Sequence, residues 1–301
     1  MYSSIKAVNE LSAAAEQGRI CALSADCHRY LQECPDAYPG LFPESPFDPR
    51  LFSAVALANA FGSPWATADQ LRIATRTSLW VFAADWVVDY VAKSRDEVHD
   101  VMTACLAIAD GRAPAVSTPL TDFLADIRDE LATAPTFAAF HPNWRDQLER
   151  YLAAMAREWD WKSARAAGDE TKLPTFEEYL GNADNFGSSW VNVSHWIFTC
   201  DPHTLDQLDE LWLVSEEVQK VLRLLNDLAT HERDLSWGDL NGLMLGVDRA
   251  GVNERIAVLV DGCQELLQPL RESHPREVVY LERQIGYSTG FYGNTDYWGA
   301  L

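Results

Sequence analysis

Two stretches of this sequence set oxygen donors on a helical repeat. In Leu79-Trp80-Val81-Phe82-Ala83-Ala84-Asp85-Trp86-Val87-Val88-Asp89, two carboxylates stand four residues apart. On an α-helix that spacing points both from one face. In so acidic a chain the spacing recurs by chance, so its surroundings carry the weight. Thr77 to Ala84 holds no charge and Trp86 to Val88 is apolar. A carboxylate buried among such neighbours is costly unless it is paired or metal-bound. The alternatives are that both acids face solvent, or that Asp89 pairs with Lys93. In the second stretch, Arg223 to Asp234, residues Asn226, Thr230 and Asp234 fall at i, i+4 and i+8. An amide oxygen, a hydroxyl and a carboxylate on one stripe are hard donors suited to Mg²⁺. Arg223 lies one turn earlier and presents a cation beside them. The alternative is an ordinary solvated helix end built from Asp227, Glu232, Arg233 and Asp234.

The elements that must position these groups are helical almost throughout. Ile256, Leu259, Val260, Cys263, Leu266, Leu267 and Leu270 keep three-and-four spacing, as do Leu211, Val214, Val218, Val221, Leu222, Leu225 and Leu228. Alternating β-branched runs bounded by hairpin turns are missing. Turn chemistry falls at Pro35–Pro49, Gly111–Pro119, Pro142-Asn143 and Gly238. The pattern predicts an all-α protein, with residues 1–301 forming one domain of roughly ten or more helices.

Charge narrows the partners. The 301 residues carry 45 acidic against 24 basic side chains, a formal net charge of −21. Such a chain is a poor non-specific nucleic-acid binder and is not drawn to anionic membranes. It can still hold a polyanion if metal ions stand between them. The N-terminal residues have no continuous apolar core, so no signal peptide is expected, and no apolar run is long enough to span a bilayer. The six cysteines include no CxxC pair, which reads as reduced thiols in a cytoplasmic protein. Monomer and homodimer are both left open.

The segment Asn226-Asp227-Leu228-Ala229-Thr230-His231-Glu232-Arg233-Asp234 resembles the metal-binding motif of class I terpene synthases, (Asn/Asp)-Asp-x-x-(Ser/Thr)-x-x-x-(Glu/Asp). Asp85 and Asp89 take the first and last places of a segment that looks like that family's Asp-Asp-x-x-Asp motif. The separation of 141 residues between Asp85 and Asn226 suits the family's α-domain. Leu173-Pro174-Thr175-Phe176-Glu177-Glu178-Tyr179-Leu180-Gly181-Asn182-Ala183 is similar to a Pro-Thr-x-x-Glu-Tyr-x-x-Asn-Ala stretch of kaurene-type diterpene synthases. Arg223-Leu224-Leu225-Asn226-Asp227 resembles the same branch. Phe291-Tyr292-Gly293-Asn294-Thr295-Asp296-Tyr297-Trp298 resembles the aromatic ending of small bacterial synthases acting on copalyl-type diphosphates. Together the resemblance spans roughly residues 75–300, and the order and spacing of its motifs carry more than any one of them.

The resemblance implies an antiparallel helical bundle around a central cavity. It also implies a lyase that ionises a prenyl diphosphate with three Mg²⁺ ions held by Asp85, Asp89, Asn226, Thr230 and Asp234. Arg223 and Arg233 would bind the diphosphate. Trp80, Phe82, Phe186, Trp190, Trp196, Tyr292 and Tyr297 are candidates to line a cation pocket, with ordinary core packing as the alternative for each. The chain end Phe291–Trp298 would fold over the mouth when metal and substrate bind. The expected reaction is cyclisation of a bicyclic copalyl-type diphosphate to a polycyclic diterpene such as ent-kaurene.

Three departures from the family pattern shift the roles. Trp86 replaces the second Asp of the first motif, so Asp85 carries more of the metal binding than Asp89. Asp234 stands where Glu is usual. Asn182-Ala183-Asp184-Asn185 lacks the upstream Arg that many bacterial synthases use as a diphosphate sensor, leaving Arg223 as its substitute. No Asp-x-Asp-Asp motif of protonation-initiated cyclases is found. The competing readings are a cyclase of linear geranylgeranyl or farnesyl diphosphate and, from another class, a non-catalytic acidic helical interaction protein. A chain-elongating prenyltransferase would have a second Asp-rich motif, and a di-iron bundle would need Glu-x-x-His pairs, which the histidines do not supply.

Overall fold

Capping chemistry written in the sequence sets where the chain turns. Thr67 with Gln70, Thr118 with Thr121, and Thr175 with Glu178 form reciprocal capping boxes. Asp48, Ser94, Asp201 and Asp248 each accept from an otherwise orphaned amide of a first turn. The structure, a computed structural model, describes residues 2–299, with side chains described from Glu10 onward. Its α-helices are α1 (Tyr2–Gln32), α2 (Cys34–Ala37), α3 (Pro49–Gly62), α4 (Ala68–Trp86) and α5 (Arg95–Ala109). They continue with α6 (Pro119–Leu131), α7 (Phe137–Ala166), α8 (Phe176–Gly181), α9 (Ser188–Thr199) and α10 (Pro202–Leu205). The last are α11 (Leu208–Trp237), α12 (Arg249–Leu267) and α13 (Pro275–Tyr292). No strand occurs among the described residues, so the fold is all-α.

Pro142 corrects one expectation. The turn anticipated at Pro142-Asn143 does not form, because Pro142 lies inside α7. It sits early in the helix, where the missing amide removes one bond to the first turn and the remaining ladder runs on. Gly111 and Gly238 do turn the chain, at φ +73° and +82°, backbone that residues with a Cβ resist.

Packing places the site. Helix α4 lies against α1, α3, α6 and α9, while α11 lies against α9, α12 and α13. Apolar side chains from all of these form one continuous core. Between α3, α4, α7, α9, α11 and α13 the core opens into a cavity. No described helix is long and apolar enough to cross a membrane.

Candidate active site

The cavity measures about 260 Å³. Its lining includes Asp85, Asp89, Glu158, Asp227, Asp234 and Asp239 against Lys162, Arg223 and Arg233, twice as many carboxylates as cations. Apolar walls come from Val55, Val81, Phe82, Phe186, Val191 and Leu222, with tyrosines from α13. An excess of acids within low-dielectric walls favours uptake of cations.

Asp85 ends α4 and Asp89 follows it in a π-helical turn, Val87–Val91, closed by the Ala92 amide on the Val87 carbonyl at 2.9 Å. Single π-turns of this kind recur at functional sites. Asp85 accepts no hydrogen bond from any described residue, and Oδ1 of Asp89 is buried without a partner. Burial, then Asp239, pushes the Asp85 carboxyl up to about 7. Burial, then Asp85 itself, holds Asp89 well above the usual carboxylate range. Two carboxylates with no side-chain hydrogen-bond donor among the described residues have the chemistry to hold a small hard cation.

On α11 the second stripe is more heavily hydrogen-bonded. The Thr230 hydroxyl lies 2.6 Å from Asp234 Oδ2 and 2.9 Å from the Asn226 carbonyl. Asn241 donates to Asp234 Oδ2 at 2.8 Å and Arg233 to Oδ1 at 3.2 Å. Burial raises the Asp234 carboxyl despite these donors. Asn226 and Asp234 line the cavity, whereas Thr230 is buried behind them. Among the described residues no three His, Cys, Asp or Glu side chains converge on one point. A cation here would therefore be held by one or two carboxylates, neutral oxygens and ligand oxygens, which is the usual mode for Mg²⁺.

Arg223 is held from several sides. Nη2 donates to Glu158 at 2.9 Å, and Nη1 donates to the Asn182 carbonyl at 2.9 Å and to Asn185 at 2.7 Å. Its guanidinium stacks 3.6 Å from the centre of the Tyr179 ring, while Nε is buried without a partner. Burial alone would lower its affinity for the proton, but Glu158 and its neighbours hold it well above the ordinary value. The Pro-Thr-x-x-Glu-Tyr-x-x-Asn-Ala stretch explains this cradle. Thr175 caps α8, Tyr179 stacks on Arg223 and donates to Asp227 at 2.8 Å, and Asn182 donates to Glu158 at 3.3 Å. Asp227 also accepts from the Gly242 amide at 3.2 Å, and burial pushes its carboxyl up to about 7. A Cβ on Gly242 would meet Asp227 Oδ2 at 2.8 Å, so glycine is needed for that approach.

Three charged groups of the cavity escaped the sequence reading: Glu158, Lys162 and Asp239. Lys162 pairs with Asp239 at 2.6 Å, donates to the Asp89 carbonyl at 3.2 Å and lies 4.2 Å from the centre of the Tyr90 ring. Asp239 reaches that position because Gly238 ends α11 in a left-handed conformation. The one available signal was Glu158 and Lys162 standing four apart on α7, a pattern that on most helices marks a solvated face.

The aromatic candidates divide. Phe82, Phe186, Tyr292 and Tyr297 line the cavity. Trp80, Trp190 and Trp196 do not: they are buried in the core, with Trp80 Nε1 donating to the Leu120 carbonyl at 2.9 Å. Their rings pack against core partners, Trp80 on Trp190 at 5.1 Å and Trp196 on Tyr280 at 6.1 Å. Tyr90, Tyr179, Trp237, Tyr280, Tyr287 and Trp298 are wall aromatics that sequence reading missed.

The chain end already crosses the cavity. Trp298 packs on Phe47 and Phe82, each at 5.3 Å, and Tyr297 lies 5.2 Å from Phe82. Arg233 donates to Asp296 at 2.7 Å, and Arg50 bonds Thr295.

Comparison with known proteins agrees with this geometry. Residues 76–258, more than half of the chain and inclusive of both acidic motifs, match the family model described as terpene synthase family 2, C-terminal metal binding. The ent-pimara-9(11),15-diene synthase of Streptomyces sp. (strain KO-3988) is 28% identical over 267 residues, covering 87% of this chain and 88% of that protein. Linalool/nerolidol synthase from Streptomyces clavuligerus has the same fold at TM-score 0.68 and 18% identity, over 90% of this chain and 94% of that one. 2-Methylisoborneol synthase from Streptomyces coelicolor A3(2) superposes at TM-score 0.69 and 16% identity, over 90% of each chain. With a family model that spans both motifs and more than half of its length, the chain belongs to the terpene synthase family, class I enzymes that are lyases of prenyl diphosphates.

Proposed function

We propose that this chain is a class I diterpene synthase that ionises a copalyl-type, labdane bicyclic diphosphate and cyclises it to a polycyclic diterpene, ent-kaurene or a relative, releasing diphosphate. The observation that carries the reading is one cavity in which Asp85 and Asp89, whose Oδ1 is buried without a partner, share aromatic walls with Asn226 and Asp234. The likeness to a synthase named for a pimaradiene supports a diterpene scaffold. So does the Arg223 cradle built by the kaurene-type segment. Residues 1–301 are read as one such domain.

Asp85 and Asp89 on one side and Asn226 and Asp234 on the other, with Thr230 behind them, would hold Mg²⁺, and the family resemblance implies three such ions. When bound, the metal supplies Lewis acidity that neutralises the charge developing on the leaving diphosphate. Arg233, freed from Asp296, and the partnerless Nε of Arg223, once uncovered, offer charge-assisted hydrogen bonds to the diphosphate oxygens. Lys162 adds a third cation to the cavity lining. Phe82, Phe186, Tyr292 and Tyr297 turn aromatic surface toward the hydrocarbon and stabilise positive charge by about 0.5–2 kcal/mol each. Trp298 and its neighbours close the mouth and keep water from the cation.

The test is incubation with copalyl diphosphates of both enantiomeric series, geranylgeranyl diphosphate and farnesyl diphosphate, each with Mg²⁺, reading diphosphate release and product mass. A C20 polycycle from a copalyl diphosphate is expected. Turnover of the linear substrates alone would replace the bicyclic assignment. No release from any prenyl diphosphate by folded protein would refute the proposal.

A further inference from the structure

A second cleft, of about 300 Å³, opens beside α9 and the start of α13. Its rim is exposed at Asp201, Ser273 and Arg276, and its floor is buried at His195, Trp196 and Tyr280. Ser63, Thr199 and Glu277 add polar groups to its walls, so the cleft is one that water fills. Among the described residues, Tyr280 is the one residue that lines both this cleft and the main cavity.

The Tyr280 ring is clamped in place. It is 3% exposed and lies so close to Gly62 that a Cβ there would stand 3.0 Å from Cε2. Its face tilts against His195 at 5.4 Å and its edge meets Trp196 at 6.1 Å. The hydroxyl donates to Asn192 Oδ1 at 2.8 Å, an oxygen that also accepts from Gln284 at 2.7 Å. On one side of the ring is a polar cleft open to solvent, and on the other a cavity where a carbocation must survive.

Resting on the diterpene synthase reading, we propose that the Tyr280 ring is the water barrier of this enzyme, so that cyclisation ends in proton loss and a hydrocarbon. In the wild type, diphosphate leaves with the electron pair of its C–O bond, and the cyclised cation takes a C–H electron pair to form an alkene while that proton passes to an oxygen of the released diphosphate. With the ring removed, a water entering from the cleft gains Asn192, Gln284 and Ser63 as polar partners. Its lone pair forms a C–O bond to the cation, and the oxonium proton passes to the water behind it. The product is then an alcohol that carries the oxygen of water.

The experiment compares wild type, Tyr280→Phe and Tyr280→Ala on the turned-over prenyl diphosphate in H₂¹⁸O, with Mg²⁺. The reading is the ratio of ¹⁸O-labelled alcohol to hydrocarbon by mass spectrometry. Wild type and Tyr280→Phe should give hydrocarbon. Tyr280→Ala should raise the ratio by about ten-fold or more, the change that ~1.4 kcal/mol in the competing barriers produces. Should circular dichroism show Tyr280→Ala unfolded, Tyr280→Leu is read in its place. Labelled alcohol as the main product of wild type or of Tyr280→Phe overturns the barrier. So does an unchanged ratio in the folded Ala or Leu variant. Absence of any turnover by the wild type strikes instead at the diterpene synthase reading on which the barrier rests.

Discussion

Replacing Arg223 by Met tests whether this cation is part of the framework as well as of the cavity. The substitution keeps length and apolar stem but leaves Glu158, 9% exposed, without its 2.9 Å partner in a cavity already rich in carboxylates. It also strips donors from the Asn182 carbonyl and from Asn185, and removes the cation from the Tyr179 face. Removing one member of a buried pair costs about 3–5 kcal/mol, because the other charge stays buried. At an unfolding entropy of about 2.1 cal/mol/K per residue, a chain of this length changes stability by roughly 0.6 kcal/mol per degree, so melting should fall by about 5–8 °C. Replacing both partners, Arg223→Met with Glu158→Met, removes the stranded charge and should recover a large part of that loss. Thermal melts followed by circular dichroism in metal-free buffer at neutral pH measure all four corners of the cycle. An Arg223→Met variant melting within about 1 °C of wild type would refute the reasoning. So would a double variant with no recovery. In either case Arg223 would be a free cavity cation and its loss would appear in turnover alone.

Three further outcomes follow from the same geometry. Asp85→Ala and Asn226→Ala should each abolish diphosphate release while leaving helix content and melting near wild type, since Asp85 accepts no hydrogen bond from a described residue and Asn226 lends the framework a single side-chain bond, to Tyr292. Loss of fold in both would make them structural. His195 is buried, and that burial lowers its imidazole to about 4 from the ordinary 6.5. The folded state therefore binds fewer protons than the unfolded one as pH falls from about 6.5 towards 4, and stability drops by about 2–3 kcal/mol by roughly pH 4.5. A His195→Gln variant melted across that range should lack this part of the acid loss, and an unchanged slope would contradict the assignment. Gly242→Ala should displace Asp227 and destabilise the protein by about 1–3 kcal/mol in a thermal melt, through the overlap at Oδ2 and the lost amide donor.

The helices that hold the site were legible because their signals are local. Thr175 and Glu178 close a capping box three residues apart, and the apolar spacing of Leu211 to Leu228 runs along one helix. The oxygen donors were legible for the same reason, and Asp85, Asp89, Asn226 and Asp234 all line one cavity. Pro142 was misread as a turn because its tolerance depends on how far into α7 it falls. Lys162 and Asp239 were invisible because they meet only when Gly238 turns the chain back towards α7.

Sequence alone determined that the chain is all-α and that two helices carry hard oxygen donors. It also pointed to a terpene synthase, since motif identity and helical period are properties of short segments. Tertiary structure decided which aromatics face the cavity and which fill the core. Trp80 and Phe82 sit two residues apart on α4, yet one is buried against Trp190 and the other meets the chain end. That choice depends on how α4 is rotated against α9 and on what crosses its other face, and no short window of sequence contains either. The same holds for Arg223, whose charge was plain to read and whose restraint by Glu158, Asn182 and Tyr179 required α7 and the end of α8 to converge on α11.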